Sequence, residues 1–294
     1  GVLSVQKDSS SSSGDWLAKD PTDNNCVLLT GGYYYLSTEV ANYEDHSYVR
    51  SYKTIKIQGN VTICLNGTQI QKVVDNTGSV GPVFEVPAGS TLTLTDCKDN
   101  GTGTGTGTGK VTCEESSNGS GVYVNGGILN LYGGQITKSY GQKGTDSNKY
   151  GGGVYVSNNG TFTMNGGDLN ITTYQGSDFS GNASGGWGGG MGGDGNSDKT
   201  DISAKGIKAV GLYDEAGTTW QSGGNLIVNG GTITIDSSDD SLHCGGDMQL
   251  LGGSMTLATA DDGVHSDHAL IIGSTGGDDD TPYVNITKSY EGIE

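Results

Sequence analysis

The feature that most limits what this chain can become is a 22-residue repeat near its C-terminal end. Residues 225–246 read NLIVNGGTITIDSSDDSLHCGG and residues 247–268 read DMQLLGGSMTLATADDGVHSDH, aligned position by position. Gly230 and Gly231 fall on Gly252 and Gly253, Asp239 and Asp240 on Asp261 and Asp262, and His243 on His265. A third copy starts at Ala269, takes a seven-residue insertion around GGDDDTP and resumes as VNITKSYEGIE, which sets Glu291 under Asp262 and Glu294 under His265. Upstream, SAKGIK makes a preceding row, with Lys205 over Asp240 and Lys208 over His243. The same strand-GG-strand unit recurs as LNLYGGQIT and FTMNGGDLNIT.

Each unit offers two short alternating stretches, Leu226 and Val228 then Ile233 and Ile235, split by an Asn-Gly-Gly turn. One such unit cannot bury its apolar side alone, whereas stacked parallel copies fill a common interior. A propeller blade needs about 40–50 residues, so a shorter repeat without a helical segment fits one coil of a β-helix. With the handedness of parallel crossovers, the expected fold is all-β, a right-handed parallel β-helix or solenoid. Glycine supplies 54 of 294 residues, far above the usual ~7%. With 4 Pro and no G-X-Y period, collagen is excluded. No run approaches the ~18 apolar residues of a membrane span, and no signal-type segment heads the chain, so a mature soluble product is expected.

Composition divides the chain into residues 1–20, a flexible Ser-rich leader; 21–175, irregular β-helix coils; 176–200, a Gly-rich loop; and 201–294, the regular coils. The net charge is -18, with 25 Asp against 8 Glu. Asp favours turns and hard-cation sites where Glu favours helices, and so acidic a chain with one Arg carries no nucleic-acid footprint.

Coils in a parallel stack lie about 4.8 Å apart, so Asp239, Asp240, Asp261, Asp262 and Glu291 are expected to gather. Unit charges at that distance repel by about 3 kcal/mol at an effective dielectric of 20. A hard cation relieves this, and calcium suits a flexible set of carboxylates better than magnesium. Solvated turn aspartates are the plain alternative. His243, His265 and His268 either add imidazole ligands or, as the simpler reading has it, hydrogen-bond to the acidic row. Lys205 and Lys208 are candidates for a proton-abstracting base if their pKa values are lowered, and salt bridges to the row are their simpler role. Trp187 and Trp220, in loops, are the candidate sugar-stacking rings. Of the five cysteines, Cys97 and Cys113 flank GTGTGTGTG and are the pair expected to bridge.

The runs SAKGIKA, SSDDSLH, ADDGVHSD and NITKSYEGIE resemble clostridial and gut-bacterial cell-surface carbohydrate-binding proteins built on a calcium-binding right-handed parallel β-helix, themselves similar to family-nine pectate lyases. The resemblance is specific over Ser197 to Glu294. It implies a secreted protein that binds calcium at the Asp rows and polysaccharide, cellulose or an acidic plant glycan, at the bacterial surface. Binding without catalysis is the favoured reading, since the only arginine, Arg50, is far in sequence from the lysine pair and none is near to hold a uronate. The alternatives are a pectate-type polysaccharide lyase using Lys205 or Lys208, and a structural fibre made by head-to-tail β-helix stacking, because the sequence stops within a repeat without a polar cap.

Overall fold

Period-2 alternation puts every second side chain of a strand on one face, and here that face is apolar in coil after coil. The structure, a computed structural model, describes residues 2–3, 18–37, 48–51, 53–72, 81–98, 109–113, 120–138, 152–173, 176–178, 205–214, 217, 219–273 and 281–294. Its strands form three long parallel faces of a β-helix. The first contains Phe84–Pro87, Val122–Asn125, Val154–Ser157, Ile207–Ala209, Leu242–Cys244 and Val264–Ser266. The second contains Thr91–Thr95, Ile128–Leu131, Thr161–Met164, Asn225–Val228, Asp247–Leu250 and Ala269–Ile272, and the long strand Thr54–Cys64 belongs to both. The third runs from Tyr48–Ser51 through Gln135–Lys138 and Thr232–Ser237 to Tyr283–Lys288.

Each regular coil thus has three strands where the sequence shows two. The additional one, Leu242–Cys244 in the first repeat, is three residues long and too short for alternation to reveal. Inward residues stack as ladders. Phe84, Val122, Val154, Ile207, Leu242 and Val264 form one, and Ile136, Leu169, Ile233 and Met255 lie in another. All are buried. The insertion in the third copy is absorbed between Ala269–Ile272 and Tyr283–Lys288, because Ser254 still pairs with Tyr283.

The Gly-Gly signature has a steric cause. Gly231 and Gly253 have φ of 91° and 82°, and a Cβ on Gly253 would stand 2.7 Å from the carbonyl oxygen of Gly231 in the coil above. The tight turn and the coil spacing both exclude a side chain. Gly253→Ala is expected to cost roughly 1–2 kcal/mol from conformation alone, with more from the clash, measured by urea unfolding. An unchanged midpoint would contradict the steric account.

Three expectations change. Val2–Leu3 pairs with Tyr35 and Leu36, and Ala18–Lys19 pairs antiparallel with Val27 and Leu28, so the Ser-rich leader contributes strands at both its ends. Gly176–Asp178, at the start of the Gly-rich stretch, is a 3-10 turn whose Ser177 N–H donates to Asp236 Oδ1 at 2.7 Å. The rest of that stretch, Trp187 included, lies outside the described residues. Cys97 bridges to Cys64, not Cys113. Cys64 pairs with Thr95 in the adjacent coil, which brings Cys97 to within 5.7 Å, Cα to Cα. Cys26 and Cys244 are buried thiols whose pKa values are pushed up, mainly by burial, to about 12 and about 11. Among the described residues no helix is long and apolar enough to cross a membrane.

Candidate functional site

In-register parallel stacking turns sequence register into spatial register. His243 pairs with His265, Lys208 with His243, and Val264 bridges Ile293, which sets Glu294 against His265. The acidic row sits at the corner where the third face turns into the first. Asp239, Asp240 and Asp262 are each at most 5% exposed. Local bonds hold them in. The Asp240 N–H donates to Asp239 Oδ1 at 2.8 Å, the Asp262 N–H to Asp240 Oδ1 at 3.2 Å, and the Thr259 hydroxyl to the Asp239 carbonyl at 2.6 Å.

Buried carboxylates need positive partners, and the upper part of the row has one built in. The Lys205 ammonium donates to Asp239 Oδ1 at 2.8 Å and Asp240 Oδ2 at 2.6 Å. Burial pulls the Lys205 pKa down, but attraction to the two aspartates outweighs it and the pKa is raised. A general base must be neutral to accept a proton, so this geometry suits a salt bridge. Lys208 behaves oppositely: burial, then repulsion from Lys205, lowers its pKa.

His243 and His265, but not His268, hydrogen-bond to the row. His243 Nδ1 is 2.7 Å from Asp240 Oδ2. His265 Nδ1 lies 3.3 Å from Asp262 Oδ2 and 3.1 Å from Glu294 Oε2, and its Nε2 lies 2.9 Å from Asp267 Oδ1. The two rings stack with centroids 4.6 Å apart. His265 is raised to about 9, chiefly by Asp267 against the opposing effect of burial. Asp267, with His243 Nε2 3.7 Å away, His265 Nε2 hydrogen-bonded to it and the Tyr213 hydroxyl acting on it, is held well below the usual carboxylate range. Sequence reasoning missed Asp267. The available signal was its place two residues beyond His265.

Among the described residues, no ammonium bonds to Asp262 as Lys205 does to Asp239 and Asp240. Asp262 is pushed up to about 7, first by burial, then by a hydrogen bond shared with Glu294 and by the charge of Asp240. Its Oδ1 is buried and has no hydrogen-bond partner. Among the described residues, ligand atoms lie within 4.8 Å of one another in three groups: Asp239, Asp240 and Asp261; Asp240, His243 and His265; Asp262, His265 and Glu294. Carboxylate oxygens alone suit a hard cation such as calcium, whereas groups with imidazole suit a transition metal. The orphaned Asp262 oxygen and the oxygen-only first group fit a hard cation. Glu291 is in none of these groups. Its side chain is exposed, and the coil uses its backbone carbonyl instead, accepting the Gly263 N–H at 3.1 Å. Glu294 takes the place beside Asp262.

Trp220 lies not in a loop but on a short strand, Trp220–Gly223, paired antiparallel with Gly211–Tyr213. This hairpin interrupts the coil between the first and second faces, an insertion the repeat pattern does not reveal. Its indole N–H donates to the Gly245 carbonyl at 2.6 Å, and its ring stacks on His268 with centroids 3.7 Å apart. His268 Nδ1 is in turn 2.7 Å from Asp247 Oδ1. The aromatic platform therefore adjoins the histidine column.

No curated protein and no solved structure matches the chain. A family model described as "Carbohydrate-binding domain-containing protein" matches residues 106–263. That span holds Trp220, the hairpin under it, Lys205, and all four aspartates of the row. Since it covers more than half of the chain, the protein belongs to this family of carbohydrate-binding domain-containing proteins.

Proposed function

We propose that this protein is a secreted β-helix that binds polysaccharide, cellulose or an acidic plant glycan, at the bacterial cell surface, with calcium held by the aspartate row. The family match over residues 106–263 carries the reading. The metal assignment is supported by the buried, unpartnered Asp262 Oδ1 and, separately, by the oxygen-only group of Asp239, Asp240 and Asp261. Calcium bound there supplies positive charge that offsets carboxylate repulsion and attracts uronate carboxylates. Trp220, fixed by its bond to Gly245 and by His268, offers a rigid aromatic platform for a sugar ring. The Cys64–Cys97 disulfide is consistent with an oxidising, extracytoplasmic setting.

Pull-down on cellulose and on polygalacturonate, with calcium and with chelator, tests this. Retention on at least one matrix is expected, with binding to polygalacturonate reduced by chelator. Absence of retention on every plant or host glycan would overturn the reading.

A further inference from the structure

The outward column of the first face continues above the histidines into residues that the acidic row does not explain. Register places Glu85, Tyr123, Tyr155 and Lys208 one above another on successive coils. The Tyr123 and Tyr155 rings have centroids 5.2 Å apart and are tilted by 37°. The Tyr123 hydroxyl lies 3.0 Å from Ser157 Oγ. Beside the rings runs a chain of polar groups across the same coils. Asn125 Nδ2 donates to Glu85 Oε1 at 2.9 Å, and Asn158 Nδ2 donates to Asn125 Oδ1 at 2.6 Å. Asn158 is exposed and has a φ of 51°, which turns the chain sharply at that edge.

Half-exposed tyrosines flanked by amides are what a neutral sugar chain requires. The C–H faces of pyranose rings pack on aromatic surface, and their hydroxyls exchange hydrogen bonds with amide and phenol groups. The coil spacing of about 4.8 Å is close to the length of one pyranose unit in a β-linked chain, so successive sugars can meet successive coils. Charge selects among glycans. A chain of net charge -18, with Glu85 in this column below a Lys56 already paired to Asp20, disfavours a uronate that brings no cation. Tyr123, Tyr155, Asn125 and Asn158 all lie inside the span matched by the carbohydrate-binding family.

We propose that Tyr123 and Tyr155, with Asn125 and Asn158 beside them, form a subsite for a neutral β-linked glycan lying along the helix axis, separate from the aspartate row and independent of metal. The proposal rests on the carbohydrate-binding reading and names where and what one such ligand contacts. Calorimetry with cellohexaose, in chelator, tests it. Wild-type protein is expected to bind, and Tyr123→Ala and Tyr155→Ala each to lose roughly ten-fold in affinity or more. Tyr123→Phe should retain most of the affinity. Asn158→Gly keeps the left-handed backbone while removing the amide, and should weaken binding several-fold with an unchanged melt, which covers the case of alanine variants that fold poorly.

Wild-type affinity in both alanine variants and in Asn158→Gly overturns the subsite. So does a wild-type protein that binds polygalacturonate with calcium but ignores cellohexaose, and in that case the family reading stands. Failure to bind any glycan removes both.

Discussion

Replacing Lys205 with methionine is expected to destabilise the metal-free protein by about 3–5 kcal/mol, the usual cost of removing one partner from a buried ion pair. The ammonium is 12% exposed and serves two carboxylates at once, at 2.8 and 2.6 Å. Without it, Asp239 and Asp240 remain buried at 4% and 2% exposure with their nearest strong cation gone. His243, bonded to Asp240 at 2.7 Å, supplies only partial compensation. If calcium binds the oxygens of Asp239, Asp240 and Asp261, the same substitution vacates two of its ligands. Calcium affinity should then rise, and added calcium should restore most of the lost stability through binding linkage. Urea unfolding in chelator and in calcium, together with calcium titration calorimetry, measures both. A loss below about 1 kcal/mol would mean that solvent screens the pair, and a loss that calcium leaves unrepaired would argue against a metal on these aspartates.

The stability of the metal-free protein should fall as pH rises from roughly 5 to 9, against the common expectation for an acidic protein. Asp262 keeps its proton in the folded chain up to about 7, while the unfolded chain releases it near 3.8. The folded state therefore holds the extra proton across that window, and stability drops with each step upward at about 1.4 kcal/mol per unit of pH. His265 acts in the same sense: its contribution is complete below 6.5 and disappears as pH rises through about 9. On the acid side, Asp240 and Asp267 have lowered values, so their contribution is present above 3.8 and is lost on further acidification. Together these groups place the optimum in mildly acidic solution and make the alkaline loss a few kcal/mol. A cation on the row takes over the role of the Asp262 proton, and calcium should flatten the alkaline limb. Melting curves between pH 3 and 9, with chelator and with calcium, show the sign directly; a metal-free limb that is level or rises toward alkaline pH would refute the account of Asp262.

The sequence by itself determined the coil and much of its chemistry, because in a parallel solenoid a constant period in the chain is a constant position in space. The alignment of Asp239–Asp240 with Asp261–Asp262, of Lys208 with His243 and of His243 with His265 is therefore also their physical stacking. Where loops differ in length, this equivalence survives in space but not along the chain. Tyr123 and Tyr155 stand on adjacent coils 32 residues apart in sequence, and Tyr155 and Lys208 are separated by the long Gly-rich stretch, so the 22-residue period does not align them. Only the tertiary structure decided that Cys97 meets Cys64, that Trp220 rides on a hairpin, and that Glu294 rather than Glu291 brings its carboxylate to Asp262. These outcomes depend on where side chains point at corners and insertions, which the alternation of strand residues does not encode. The Lys205 ammonium belongs with them: its place above the row follows from register, but its bond to two aspartates at once follows from burial, which leaves each charge no better partner.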